Sequence, residues 1–483
     1  MTPNANIIVI GAGLAGIAAS LRLARLGLPV RLLETRKRLG GRASSFTDPT
    51  TDVVLDQCQH AVMPACTHIL DLYQQLGLHD VIEWHHRVHF TTEHNTVDTI
   101  SPAPLPAPLH LAPSFLAMRG LSLRDKLAIA YAMTRILTLG KAGRERHRGR
   151  TIAQLLDDWG QPRTARRRFW DVTITSACND QPENVDAPLA LKVFQEGFLA
   201  TSKALGVGLP RIPLVELYQP LEQELSNAGG SLELGTSVTR ITHEGGRVTG
   251  VVTADGQHRP ATHVITTVPP DRLHKLVDAN LIARDQRLAN LDRWTFAPIV
   301  AVHLFYELTD PPLMRLPHLV TPDRPFDWIF NKGVTTLPPD APIDHQGPVQ
   351  HAHLLTSGAH KAVLEHPKNV LKLAKTELFR AVNSVERSFN DPKPSFLHGR
   401  VIKEKVATFS PSPELMSARP AASGDLKGLY ISGDWTDTGW PATMEGAVRA
   451  GHAALCAVAT DLNFDPPPLP GDMPAEGISR WFL

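Results

Sequence analysis

The sequence predicts an α/β protein of two domains, and three observations carry that prediction. Ile7–Ile10 is a short, fully apolar, β-branched run of the kind that forms a buried parallel strand. Glycines at 11, 13 and 16 then turn the chain into Ile17–Leu26, where small and apolar residues recur at helical spacing up to Gly27, and Val30–Leu33 reads as a second parallel strand. Beyond this βαβ unit the period changes twice, to helical between residues 100 and 205 and to short alternating strands between 231 and 268. The 483 residues, 42% of them hydrophobic, suffice for two interleaved domains with substantial cores.

The helical stretch opens on a proline-rich segment (Pro102, Pro104, Pro106, Pro108 and Pro113). Leu121–Leu139 is its most hydrophobic helix candidate, with charges only at Arg124, Asp125, Lys126 and Arg135. Its apolar surface is wider than one stripe, which suits either a buried core helix or one that dips into a membrane at a substrate entrance. Ser231–Thr242, Arg247–Thr253 and His263–Val268 alternate or run apolar around Gly245-Gly246 and Asp255-Gly256, the pattern of a β-meander followed by an apolar strand that ends at Pro269-Pro270. Further strands are expected at Ile299–Tyr306, His351–Leu355 and Leu429–Ser432, and a last helix at Glu445–Ala457. After Pro466–Pro470 the tail to Leu483 is expected to be loosely attached.

Charge excludes one class of partner. Lys+Arg (49) nearly cancel Asp+Glu (48), so a net charge of +1 offers no electrostatic footprint for nucleic acid. The basic runs Lys141–Arg150 and Arg166–Arg168 read as solvated faces, with an anionic membrane surface as the alternative. The four cysteines, Cys58, Cys66, Cys178 and Cys456, form no C-x-x-C pair, so neither structural zinc nor a dithiol motif is indicated and no metal site is expected. The glycine pattern and the lack of a preceding basic segment argue against reading residues 7–20 as a signal peptide, and no run of about 18 uncharged apolar residues occurs. The expectation is a cytoplasmic protein, free or held at the inner face of the cytoplasmic membrane.

Three motifs carry chemistry. In Gly11-Ala12-Gly13-Leu14-Ala15-Gly16, the first glycine permits the tight turn, the second lets the backbone approach a pyrophosphate, and the third allows close helix–strand packing. Glu34 closes the second strand, where a carboxylate suits the adenosine ribose and repels a 2′-phosphate, so the pattern is that of a Rossmann-type dinucleotide site other than one for NADP. Leu39-Gly40-Gly41-Arg42 follows at once, offering a second close backbone approach and a planar cation for phosphate oxygens. The third motif, Gly433-Asp434-Trp435-Thr436-Asp437-Thr438-Gly439-Trp440-Pro441-Ala442-Thr443-Met444-Glu445-Gly446, places a carboxylate after a strand and starts a helix near Thr443. Asp434 suits the ribityl hydroxyls of a flavin, and the helix N-terminus suits its pyrimidine end.

Together these motifs resemble the superfamily of flavin-containing amine oxidases and phytoene desaturases, whose R-x-G-G-R loop is matched here by Arg38-Leu39-Gly40-Gly41-Arg42. The resemblance spans nearly the whole chain. It implies non-covalent FAD in a Rossmann-type domain assembled from three segments (1–62, 212–290 and 420–465), with an inserted α+β substrate domain (63–211 and 291–419) and a C-terminal tail (466–483). It also implies cofactor contacts at Gly11, Gly13, Leu14, Ala15, Gly16, Glu34, Thr35, Gly40, Gly41, Arg42, Val238, Gly433, Asp434, Thr443 and Met444. Asp56-Gln57-Cys58-Gln59-His60, Phe169-Trp170, Ser176-Ala177-Cys178-Asn179 and the 433–447 block are further similar to the hydroxysqualene dehydroxylases. Ser20 and Cys178 depart from that pattern, standing where Ala and Leu are expected.

That narrower resemblance implies reduction of a hydrophobic isoprenoid alcohol, hydroxysqualene, to squalene by reduced FAD with loss of water. The departing oxygen needs a proton, and water must be kept from a delocalised allylic cation. His60 and Asp56 are the candidates for that catalytic acid, each with a structural role as its alternative, and Trp435 and Trp440 are either pocket walls or core. An amine oxidase, a carotenoid desaturase and a flavin-free isoprenoid escort are the competing readings.

Overall fold

A computed structural model describes residues 5–93, 96–338, 341, 343, 345, 347–383, 385–388 and 390–483. Its first sheet is wholly parallel, in the order Leu429–Ile431 (β19), His263–Thr266 (β13), Ile7–Ile10 (β1), Val30–Glu34 (β2) and Ser231–Leu234 (β9). The continuous apolar run of β1 is explained by its central place. Ile7 and Val9 face one hydrophobic cluster and Ile8 and Ile10 the other, so no position on β1 is free to be polar. Helix α1 (Leu14–Arg25) and the C-terminal helix Met444–Asp461 cover the Ile7 face. They pack closely because Gly451 has no side chain: a Cβ there would lie 2.3 Å from the Ala15 carbonyl oxygen.

The expected meander divides in two. Ser231–Leu234 joins the parallel sheet as β9, and Gly235 (φ +74°) then breaks the run. Val238–Glu244 (β10), Arg247–Thr253 (β11) and His258–Pro260 (β12) form their own antiparallel sheet, whose Ile241, Val248 and Val251 lie in the cluster with Ile8 and Ile10. The alternation of apolar residues continues through 235 and conceals the turn.

A second sheet has seven strands, ordered Phe396–Phe409 (β18), Phe296–Glu307 (β14), Pro348–Thr356 (β17), Trp328–Thr336 (β16), His318–Val320 (β15), Val88–Thr91 (β6) and Val97–Ile100 (β7). One face of it, with Val300, Val302, Leu304 and Leu354, packs on Val370, Ala374 and Leu378 of the helix Pro367–Asn383. The other face looks toward the short hairpin Ser45–Thr47 (β3) and Val54–Asp56 (β4). Of this sheet, sequence patterning placed only β14 and β17 and missed β6, β7, β15, β16 and β18. Arg400, Lys403, Glu404 and Lys405 interrupt the apolar pattern of β18, an edge strand, and a register shift between Asn331 and Val334 breaks that of β16. A last pair, Ile82–His85 (β5) with Val207–Pro210 (β8), flanks the helical region.

In that region, helix α2 is Thr67–Gln75, α3 is Ala112–Ala117 and α4 is Leu123–Glu145. A Ser122–Asp125 capping box starts α4, and Gly140 (φ 62°) interrupts it. Its wide apolar surface is divided: Ile129, Ala132 and Ile136 are buried in the core, whereas Leu123, Leu127 and Tyr131 are 71, 63 and 51% exposed. Among the described residues no helix is long and apolar enough to cross a membrane. The tail is not loose. The Ile478 amide donates to the Ala107 carbonyl, the fully buried Ser479 hydroxyl donates to Leu199, and Glu476 accepts from Thr201 and Lys203.

Candidate cofactor and substrate site

The parallel strands β1, β2, β13 and β19 deliver their C-terminal ends to one edge, the edge at which open α/β sheets bind ligands. Gly11 has φ +98°, and a Cβ on Gly16 would stand 1.9 Å from the Gly11 carbonyl oxygen, so both positions require glycine. A Cβ on Gly13 would meet nothing within 4 Å, which leaves room for a ligand beside the N-terminus of α1, where Leu14 and Ala15 begin the helix. The arginine-containing loop lies against this turn: Gly13 bridges to Gly40, and Gly41 (φ +62°) is packed on the Cα of Gly13. Gly40 in turn has Tyr218 where its Cβ would be.

Glu34 is buried at the end of β2, its two carboxylate oxygens accepting the amides of Ala12 (2.7 Å) and Arg36 (2.8 Å). Thr35 beside it is exposed. The Glu34 carbonyl accepts from Thr236, which brings half-buried Val238, the first residue of β10, to the same end of the sheet.

The distant third motif reaches this edge as well. Gly433 (φ +129°) ends β19, and the buried Asp434 carboxylate accepts from Arg42 at 2.5 Å across 392 residues of sequence. Burial works against the Arg42 charge, yet Asp434 outweighs it and holds the guanidinium above its ordinary value. Thr443 caps the C-terminal helix, its hydroxyl accepting from Gly446. Met444 contributes only a backbone amide to that terminus, since its side chain is buried with the sulfur 4.0 Å from the Tyr73 hydroxyl. Glu445 turns away from the loop, accepting the His68 and Ile69 amides at the start of α2 and pairing with Arg449.

His60 and Asp56 lie between this edge and the second sheet. The Asp56 carboxylate is buried and engaged on all sides: it accepts from the Ser45 hydroxyl (2.8 Å), the Leu214 amide (3.0 Å) and Lys332 (3.4 Å). His60 is half-buried, and burial lowers its pKa, so the ring is neutral at pH 7. Its Nδ1 faces the Cys58 carbonyl at 3.0 Å and must carry the proton, leaving Nε2 as an acceptor. Cys58 is a buried thiol pushed up to about 12 by desolvation. Around these groups the wall is apolar, with Ala301, Phe330, Leu355, Leu209, Ile299, Trp328 and Ile402 packed on Cys58. On the same face His303 and His353 stack at 3.8 Å, and His303 contacts the Asp56 carbonyl at 3.0 Å and His351 at 2.8 Å.

The model of the flavin containing amine oxidoreductase family matches residues 14–459. The chain belongs to that family. It is 25% identical to hydroxysqualene dehydroxylase from Rhodopseudomonas palustris, over 93% of this chain and 97% of the relative. Against 15-cis-phytoene desaturase from Glycine max the identity is 24%, covering 94% of this chain and 80% of the relative. Among solved structures, cyclohexylamine oxidase from Brevibacterium oxydans superposes with a TM-score of 0.64 at 17% identity, covering 95% of this chain and all of the other, a likeness of fold.

The cofactor of this flavin containing oxidoreductase is FAD. The residues fit it: the open space beside Gly13 lies at a helix N-terminus, and Arg42 and Asp434 stand where the three motifs meet. Two residues that hold this arrangement escaped the sequence reading. The Thr267 hydroxyl, just past β13, donates to the carbonyls of Ile10 and Gly11 at 2.9 Å and so clamps the glycine turn. Arg419, buried and lowered to about 10 by desolvation, donates to the carbonyls of Asp434 and Trp440 and to the Thr438 hydroxyl. A strand end followed by Thr was the signal available for the first, whereas a lone Arg among Ala and Pro carries none for the second. Trp435 proves to be core, 1% exposed against Trp294, and Trp440 lies beneath Arg449 and Lys192. Phe169, Trp170 and Cys178 are likewise core residues.

Proposed function

We propose that the chain is an FAD-dependent reductase that removes the hydroxyl of hydroxysqualene to give squalene. One observation carries this reading: the wall formed by Ile299, Ala301, Trp328, Phe330, Leu355 and Ile402 is apolar, with the polar groups Gln59, His60 and Lys332 gathered beside it. Such a wall suits a long hydrocarbon bearing one oxygen. The dehydroxylase relative supports the reaction, and the cofactor supplies hydride from its reduced form. The family's contacts are assigned residue by residue to Gly11, Gly13, Leu14, Ala15, Gly16, Glu34, Thr35, Gly40, Gly41, Arg42, Val238, Gly433, Asp434, Thr443 and Met444. In this assignment residues 1–62, 212–290 and 420–465 hold FAD, and 63–211 and 291–419 shape the substrate site.

The phytoene desaturase likeness favours oxidative desaturation as the second reading. Anaerobic incubation of the FAD-reduced protein with hydroxysqualene separates the two. Squalene is the expected product, and unchanged alcohol beside intact bound flavin transfers the assignment to the oxidative reaction.

The same substrate argues for work at the inner face of the cytoplasmic membrane. Leu116, Leu123, Leu127 and Tyr131 form an exposed apolar surface on α3 and α4, among Arg119, Arg124, Lys126 and Arg135. Flotation with anionic liposomes is expected, and Leu123→Ser with Leu127→Ser is expected to reduce the floated fraction severalfold. Equal flotation of the variant, or none by the parent, rejects this surface.

A further inference from the structure

Lys332 is a cation beside the apolar wall that the cofactor motifs do not account for, and its setting defines what it can bind; Arg400, on the same face, is turned to Asp48 and Phe46. Lys332 points to the same side of β16 as Phe330 and Trp328, two and four residues before it. It lies in the bulge between Asn331 and Val334, where Gly333 has φ +84° and the strand turns. Its side chain is 21% exposed, with Nζ 3.0 Å from Gln59 Oε1 and 3.4 Å from Asp56 Oδ2. An ammonium has three N–H donors. Among the described residues two are directed at these acceptors, which leaves one.

The neighbours cannot take the same part. His60 is neutral and its ring proton is held by the Cys58 carbonyl. Cys58 is a thiol of raised pKa, and the Asp56 carboxylate is an acceptor of three donors. Arg42 is committed to Asp434 and to the Ala407 carbonyl. The histidines above, His303, His351 and His353, are held neutral by burial. Of the other acidic groups facing this region, Glu404 of β18 acts on both Cys58 and Arg42, Asp271 on Arg42 and Asp48 on His303.

We propose that the remaining Lys332 N–H forms an alcohol-binding site, and that Lys332 passes its proton to the departing hydroxyl. This rests on the dehydroxylation reading above. The allylic C–O bond breaks with its electron pair going to oxygen and the Lys332 proton completes a water molecule, while reduced FAD, when bound, would supply the hydride that balances the carbon. Alcohol, hydride and one proton become hydrocarbon and water, and the amine regains its proton from solvent. Asp56 is then a positioning residue that holds Lys332, and the neutral His60 Nε2 accepts the hydroxyl proton of the bound alcohol.

The test compares Lys332→Met, Lys332→Arg and Glu404→Gln in the FAD-loaded protein, with flavin content and Tm as checks on folding. Titrations with hydroxysqualene and with squalene, read from the absorbance of bound oxidised flavin, give each variant's preference for the alcohol. Anaerobic single turnover after chemical reduction gives the rate. Lys332→Met is expected to bind squalene as the parent does, to lose about tenfold or more of its alcohol preference, and to turn over on the order of 10²–10⁴-fold more slowly. Lys332→Arg is expected to keep the preference, and Glu404→Gln to change neither. If Lys332→Met loses FAD, Lys332→Gln is read in its place. Conversion by the parent together with near-parental rate and preference in Lys332→Met overturns the Lys332 site alone. An inert parent overturns the dehydroxylation reading, and this site with it.

Discussion

Gly13 and Gly16 stand three residues apart in the same motif and are glycine for different reasons. A methyl group on Gly16 collides with the Gly11 carbonyl, whereas one on Gly13 enters open space beside the helix N-terminus. Gly16→Ala is therefore expected to destabilise the fold by roughly 1–3 kcal/mol, the usual penalty of overpacking. Gly13→Ala should keep the parental Tm and lose FAD affinity by tenfold or more, read as flavin retained after dialysis. Equal affinity in Gly13→Ala sinks the assignment of that space to the cofactor. At this scale the sequence singled out residues whose chemistry announces itself, Glu34, Arg42 and Asp434, and the structure brings Arg42 and Asp434 into direct contact. Lys332 and Arg419 were not singled out, because each sits in a segment without periodicity and gains its surroundings only from chains far away in sequence. Met444 shows the opposite difficulty, a residue in a recognisable motif whose side chain belongs to the core.

At the scale of elements, β1, β13 and β19 were readable because they are buried throughout and largely apolar. By contrast β9, SLEL and partly exposed, was read as part of a meander, and in the second sheet only the long buried strands β14 and β17 were readable. The elements also concentrate histidine in their interiors. Burial lowers His303 and His68 to about 4, His318 to about 3 and His452 to about 2. Folded pKa values below the unfolded value of about 6.5 mean that the unfolded chain takes up protons first as pH falls. The stabilisation is complete above pH 6.5 and declines between there and about pH 4, each histidine contributing up to about 1.4 kcal/mol per pH unit. Urea midpoints measured at pH 7, 6 and 5 are expected to drop steeply, and a flat series contradicts the neutral state of these rings. His452→Asn should lessen the slope, since His452 pairs with His68 inside the packing of α2 on the C-terminal helix.

At the scale of the whole molecule one juxtaposition stands out: Gly13 bridges to Gly40, and Arg42 beside it pairs with Asp434, the arrangement proposed to hold a single ligand. A ligand that spans such an arrangement stabilises every segment it touches. Free FAD at about 100 times its Kd is expected to add about 2.7 kcal/mol to the unfolding free energy, seen as a rise in Tm with added FAD. Asp434→Ala should reduce that rise. Tm values insensitive to FAD in both proteins would mean that the three segments do not share one ligand. The division into a cofactor part and a substrate part rests on resemblance alone, because the chain passes between the two sheets several times and no linker of distinctive composition marks a crossing.

The strand order of the parallel sheet also constrains how the protein can be made. Its outermost member, Leu429–Ile431, pairs with a strand synthesised more than 160 residues earlier, and that strand in turn lies beside the very first. A nascent chain whose glycine turn has already emerged still lacks the carboxylate of Asp434, so capture of the cofactor waits until that residue has been made. Premature termination anywhere before that point should leave a polypeptide with a half-built nucleotide cradle, colourless and dependent on chaperones.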